Sequence, residues 1–393
     1  MDKPIYNCHV HTFTAASVPD RFLPLGLNRI LKYRIFRRSL IYLIALLKNV
    51  LGFLGLLFPS PVTKGISLFY GLIEKAWLSK SSLNHEALLR YDQFFETGGS
   101  GSQRAVFERL RVQYPDNARF VVLPMDMEFM GAGKPAVRYE DQLNELALLR
   151  DAFPRMVIPF FAADPRRPNL LELFHEYIDK HGFRGVKLYP NLGYFPNDST
   201  LLELYALCQE KKIPVLAHCS PGGIRRKGLS AAQAKNFAHP ANYARVLKDF
   251  PRLNICLAHF GGAEEWERQI TGKAPREGEE ESWLSVILKM LTVDKYPNLY
   301  TDISYTMFAN TPSDRAFSYF DYLKVLLSDP LVAEHVLFGT DYYMVEQEKF
   351  SEKEVSIALR SHLGEKLYFQ IAHKNPRVYL YETRPAPARK KRK

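Results

Sequence analysis

Disulfide chemistry has little to work with in this chain, whose 393 residues hold four cysteines (Cys8, Cys208, Cys219 and Cys256), no two of them spaced as CxxC. All four fall inside strand-like or helix-like runs. They read as small buried side chains of a reducing compartment, not as a disulfide framework or a thiolate metal site. Cys8 and Cys219 adjoin histidines, but strand alternation is expected to turn their thiols away from them. No GxGxxG follows any apolar run, which argues against a dinucleotide site. No signal peptide is legible, since the first strand begins by about residue 5, and a cytoplasmic location is the expectation. Internal repeats are absent as well.

Acidic residues are missing from one stretch. Between Arg21 and Ile73 there are eight Lys or Arg and no Asp or Glu, and the tail from Arg384 to Lys393 adds six more basic residues. The formal net charge of +11 therefore resides in one segment and one tail, and the rest is close to neutral. A basic tail of this kind supplies only unspecific phosphate attraction, so no specific nucleic-acid partner is expected.

With 47% hydrophobic and 24% charged residues, the remainder has the composition of a folded domain with a substantial core. From residue 119 onward, apolar β-rich runs alternate with segments of helical spacing. The runs are RFVVLPMDM, MVIPFFAAD, GVKLYP, PVLAHC, NICLAH, NLYTDIS and HVLFGTD; with IYNCHVHT at the start they make eight. Continuous apolar strands suit a parallel sheet buried on both faces, and eight strand–helix units predict an α/β fold, a closed (β/α)8 barrel. Residues 1–12 would form strand 1 and residues 119–382 the rest of the barrel. Helices are expected from Ser351 to Leu363 and from Glu365 to Ala372, and residues 383–393 should be a disordered basic tail.

Residues 13–118 are too long for an ordinary connection and predict a large, mostly helical insertion between strands 1 and 2. Residues 40–58 are nearly all apolar, close to membrane-spanning length. A single crossing is excluded, because strand 1 lies before the segment and must pair with strands after it. The insertion is expected either to cover the barrel mouth as a lid or to lie on an anionic membrane through residues 29–80, at the inner membrane surface.

Several strand-like runs carry a metal-binding side chain at or near their C-terminal ends: His9 and His11, Lys187, His218, His259 and Asp341. A (β/α)8 barrel gathers those ends on one face, so these distant residues would converge there. His9 and His11, two apart on a strand, project to one side. Asp341 ends strand 8, beside strand 1, and could reach an ion held by both histidines. Lys187 admits three readings: a carbamate bridging two ions, an ammonium holding an anionic substrate, or a solvent-reaching strand end. Arg225, Arg226 and Tyr189 follow strands 5 and 4 and are candidates for substrate binding. Asp302 reads as a loop anchor.

In order and spacing these residues resemble the amidohydrolase superfamily of metal-dependent barrels. The resemblance is to the branch that groups predicted TIM-barrel hydrolases with aminocarboxymuconate semialdehyde decarboxylase and related aryl-acid decarboxylases. It covers strand 1 and about residues 119–382, including AHKNPRVYLY, but neither the insertion nor the tail. It implies His9, His11, His218 and Asp341 as ligands of a divalent metal, zinc being the expected ion. His259 would be a ligand of a second metal or a catalytic histidine. Lys187 stands in VKLYP, similar to the dihydroorotase motif whose lysine is carbamylated, so one or two ions are implied. Asp341 and His259 are the implied catalytic residues.

The implied function is hydrolysis of an amide, lactone or other ester-type bond of a small, possibly anionic molecule. The alternative is a non-hydrolytic decarboxylase acting on an aromatic or unsaturated acid. A third reading is a membrane-surface binding protein on a barrel scaffold. A homodimer is compatible with each.

Overall fold

The computed structural model describes residues 3–22, 93–274, 278, 281–308, 318–347 and 351–384. Most of the expected insertion, including the whole of residues 29–80, and the tail beyond Arg384 lie outside the described residues. Among the described residues no helix is long and apolar enough to cross a membrane.

Eight parallel strands follow one another in chain order: β1 (Tyr6–Val10), β2 (Arg119–Val122), β3 (Val157–Ala163), β4 (Gly185–Leu188), β5 (Val215–Ala217), β6 (Ile255–Leu257), β7 (Leu299–Asp302) and β8 (Val336–Leu337). The seam between β8 and β1 closes through backbone bonds. The Cys8 N–H donates to the Phe338 carbonyl (2.8 Å), and the Asp341 N–H to the His9 carbonyl (2.8 Å). The eight apolar runs thus form a (β/α)8 barrel, and their continuity reflects burial on both faces.

Helices with apolar stripes wrap the outside, several of them started by side-chain caps. Ser351 and Glu354 form a capping box at the start of the helix Glu352–Phe369, whose helical geometry breaks at Gly364 (φ 74°). That break separates the two helices expected there. The helix Gln103–Arg111, capped by Ser102, buries Val106, Phe107 and Leu110 and lies between β1 and β2 in the chain.

The interior of the barrel is filled by a side-chain cluster that includes Tyr6, Cys8, Phe160, Leu216, Cys256 and Tyr300, together with Tyr379 and Leu380 of the closing helix Asn375–Tyr381. Gly185 faces the same space. A Cβ there would lie 2.2 Å from the Phe160 ring, so the ring takes the volume that a side chain on β4 would need.

One expectation about β1 is corrected. Its register against β2 slips between Asn7 and Val10, where three steps on β1 match two on β2. The extra residue is a bulge, and it places both Cys8 and His9 on the inner side. Cys8 therefore sits in the interior layer beneath the histidines, whereas Cys219 packs into the outer core as alternation requires.

Candidate metal centre

Past the bulge, His9 and His11 bracket the outward-facing Val10 and lie at the C-terminal mouth of the barrel. Each ring is held at Nδ1. His9 Nδ1 is 2.9 Å from Asp302 Oδ2, and His11 Nδ1 is 2.8 Å from the Leu123 carbonyl. Both partners are acceptors, so each Nδ1 carries the proton and each Nε2 presents its lone pair, that of His9 lying 3.5 Å from Lys187 Nζ. The two Nε2 atoms converge on Asp341, at 3.4 and 3.2 Å from its Oδ1.

Asp341 reaches this position from a left-handed backbone (φ 69°), and His259 (φ 66°), Phe260 (φ 41°) and Tyr305 (φ 62°) share that region. Left-handed residues gathered at strand ends are a form of stored strain that functional sites tolerate.

The trio of His9, His11 and Asp341 presents donor atoms within 4.8 Å of one another. Two imidazole nitrogens and one carboxylate oxygen are a fitting donor set for a catalytic divalent ion, leaving positions open for water and substrate. A second trio, His9, His259 and Asp302, also has its donor atoms within 4.8 Å of one another. Its carboxylate, however, is already engaged by His9 and by the backbone N–H groups of His259 and Ser304.

The remaining histidines extend the site as a row of rings. His259 lies 4.8 Å from His9 and 4.8 Å from His218 between centroids, and Tyr189 stacks on His218 at 4.3 Å. His218 is not brought into the trio: its Nδ1 is 3.0 Å from His259 Nε2 and its Nε2 3.1 Å from the Gly222 carbonyl. His259 Nδ1 rests 2.9 Å from the Ser304 hydroxyl.

Burial, reinforced by Lys187, pushes the His9 imidazole well below its usual range and the His218 imidazole down to about 3. Burial and the neighbouring His218 lower His259 in the same way. These rings are neutral at pH 7, the state in which imidazole binds metal.

Lys187 projects from β4 into the same space, with Nζ 3.5 Å from His9 Nε2. Burial drives its ammonium down to about 8, against the pull of Asp341 and Asp302. The reading of Lys187 as a solvent-reaching strand end is thereby overturned, because the residue is only 1% exposed.

Arg225 and Arg226 are exposed on the loop after β5, and the Arg226 stem passes over Gly193 in the loop after β4. The Tyr189 hydroxyl accepts from the Ile224 N–H (3.0 Å), tying that loop to the row of rings.

Sequence reasoning undervalued Asp302 and Ser304. Asp302 follows the inward-facing Tyr300 by two residues, which is the signal that could have marked it as inward-facing too.

The family model described as amidohydrolase matches residues 106–379. Among solved structures the chain is similar to an uncharacterized TIM-barrel protein from Bordetella bronchiseptica, with 20% identity over 74% of this chain and 89% of that one and a TM-score of 0.48. It is also similar to 4-oxalomesaconate hydratase from Rhodopseudomonas palustris, with 16% identity over 96% and 95% of the two chains and a TM-score of 0.48. A third similar structure is 2,6-dihydroxybenzoate decarboxylase from Rhizobium, with 14% identity over 69% and 87% and a TM-score of 0.45. No curated protein matches the sequence.

Proposed function

The chain belongs to the amidohydrolase family, and from that premise we propose that this metal-dependent enzyme hydrolyses an amide, lactone or other ester-type bond of a small molecule. The observation that carries the reading is the convergence of His9 Nε2, His11 Nε2 and Asp341 Oδ1, with both Nδ1 atoms already committed to acceptors. These three residues would hold the divalent ion, zinc by our reading, with His218 and His259 beside it. When bound, such an ion supplies Lewis acidity and acidifies a coordinated water to near neutrality.

The chain's own groups do the rest. Asp341 is the general base and then the general acid: it takes a proton from the attacking water and returns it to the leaving group. His259, fixed between His218 and Ser304, orients the water. Tyr189, flat against His218, forms one wall of the site. Arg225 and Arg226 draw an anionic substrate toward the mouth.

A second reading rests on Lys187. As a buried ammonium 3.5 Å from His9, it would pair with the carboxylate of an acid substrate, and the same centre would then serve decarboxylation.

The test is elemental analysis of wild type, His11→Ala and Lys187→Ala, together with turnover of amide, lactone and ester panels. We expect bound metal in wild type and its loss in His11→Ala. A fall from two equivalents to one or none in Lys187→Ala would establish a bridged pair, and one equivalent regardless would establish a single ion. Release of CO2 without a new carboxylate product would favour the decarboxylase. Metal content and turnover in His11→Ala equal to wild type would refute the centre.

A further inference from the structure

We propose that Asp302, with Ser304 as its relay, is the positioning carboxylate of the candidate centre: it holds His9 in the tautomer that leaves Nε2 free and secures the left-handed turn at His259. The proposal rests on the reading of His9, His11 and Asp341 as a metal site.

Asp302 ends β7 with its side chain fully buried, and among the described residues its only ion-pair partner is His9. A buried carboxylate without a cationic partner is costly unless hydrogen bonds saturate it. Here Oδ1 accepts the backbone N–H of His259 (3.0 Å) and that of Ser304 (3.0 Å), and it also contacts the Ser304 hydroxyl. Oδ2 accepts His9 Nδ1–H (2.9 Å) and the Cys256 thiol (3.8 Å). One group therefore ties together a ring on β1, the turn after β6 and the end of β7.

The Ser304 hydroxyl stands among three partners. It contacts Asp302 Oδ1, lies 3.1 Å from His9 Nδ1 and lies 2.9 Å from His259 Nδ1. The Ser304 hydroxyl donates to Asp302 Oδ1, so toward the rings it accepts, and the Ser304 carbonyl stands 3.2 Å from His259 Nδ1 as a second acceptor.

A merely structural role, anchoring the loop after β7, makes a different prediction from a positioning role. In Asp302→Asn the retained carbonyl oxygen still accepts both backbone N–H groups, so the loop keeps its anchors. The new amide N–H₂ faces His9 Nδ1, which must then accept. The ring proton moves to Nε2 and the lone pair toward Asp341 is lost.

The experiment is zinc competition against a chromophoric chelator on full-length wild type, Asp302→Asn, Ser304→Ala and His11→Ala, each stripped and re-titrated. It is paired with long-range 1H–15N spectra of the metal-free histidine rings. We expect Asp302→Asn to weaken zinc about 10- to 100-fold, the usual range for a ligand's supporting partner. Its metal-free melting temperature should stay near wild type, and its His9 signal should change from Nδ1–H to Nε2–H. Ser304→Ala should weaken zinc less. An Nε2–H tautomer for His9 in wild type overturns the proposal, and that spectrum decides the matter even if Asp302→Asn does not fold. Zinc affinity of Asp302→Asn equal to wild type also overturns it, provided His11→Ala binds weakly. Wild-type affinity in His11→Ala would instead show that the metal-site reading itself fails.

Discussion

Gly339 offers a way to disturb the centre without altering any of its donors. It lies between β8 and Asp341, and a Cβ built on it would sit 2.8 Å from His9 Cβ, 3.3 Å from His9 N and 3.5 Å from Ser304 Cβ. Its backbone is not left-handed, so Gly339→Ala acts through this contact and not through φ. Non-bonded carbons settle at about 3.5–4.0 Å, so the new methyl and His9 must part by roughly 1 Å.

Neither side moves freely. The seam is stitched by the bonds from Cys8 to Phe338 and from Asp341 to His9, and the His9 ring is held between Asp302 at 2.9 Å and Asp341 at 3.4 Å. Overpacking of this kind costs about 1–3 kcal/mol. Since sites of this type need their donors within about 0.5 Å of the working geometry, zinc affinity should fall about tenfold or more. Gly101→Ala is the control, because its Cβ would meet nothing within 4 Å. It should change stability by less than about 0.5 kcal/mol. Chemical denaturation of the metal-free proteins and chelator competition give the two readouts. If Gly339→Ala matched Gly101→Ala in both, the steric reasoning about His9 would be wrong.

Gly185→Ala should destabilise the barrel more than Gly339→Ala, since its Cβ would meet the Phe160 ring at 2.2 Å; Phe160→Leu in the same chain should recover part of the loss, and strict additivity in a double-mutant cycle would refute the clash. Glu352 predicts a pH effect: its side chain accepts from Asn7, Tyr114 and Thr340, but burial raises its carboxyl from 4.5 to about 7. Between those values the folded state holds the proton that the unfolded state has released. The contribution is therefore fully present below about pH 4.5, falls as pH rises, and is gone above about pH 7, a span of at most about 3 kcal/mol. Denaturation midpoints from pH 4.5 to 8 should show this slope, and Glu352→Gln should flatten it; an unchanged slope would remove Glu352 as its source.

Much of the architecture is legible along the chain because strand burial and helix periodicity are local properties. The run PVLAHC, short, apolar and one of eight alternating with helical segments, reads as a strand buried on both faces, and Gly364 interrupts its helix because glycine takes the backbone angle found there (φ 74°) at little steric cost. His9, His11 and Asp341 are legible for a related reason: the barrel sends every strand's C-terminal end to one face, so position in the chain implies position in space.

What alternation alone could not foresee is a bulge. One extra residue in β1, seen only as a register slip against β2, turns Cys8 inward along with His9. Asp302 shows a related limit: its place two residues after Tyr300 marks it as inward-facing, but not which groups it would hold. Only the packed barrel brings His9, His259, Ser304 and Cys256 around it. The sequence by itself determined the strand count, the parallel order and the face on which chemistry gathers, since these follow from hydrophobic pattern and chirality. The tertiary structure decided which ring nitrogen is free, which carboxylate orients it and that His218 pairs with His259, because hydrogen-bond partners are settled by distances of a few tenths of an ångström between segments far apart in the chain.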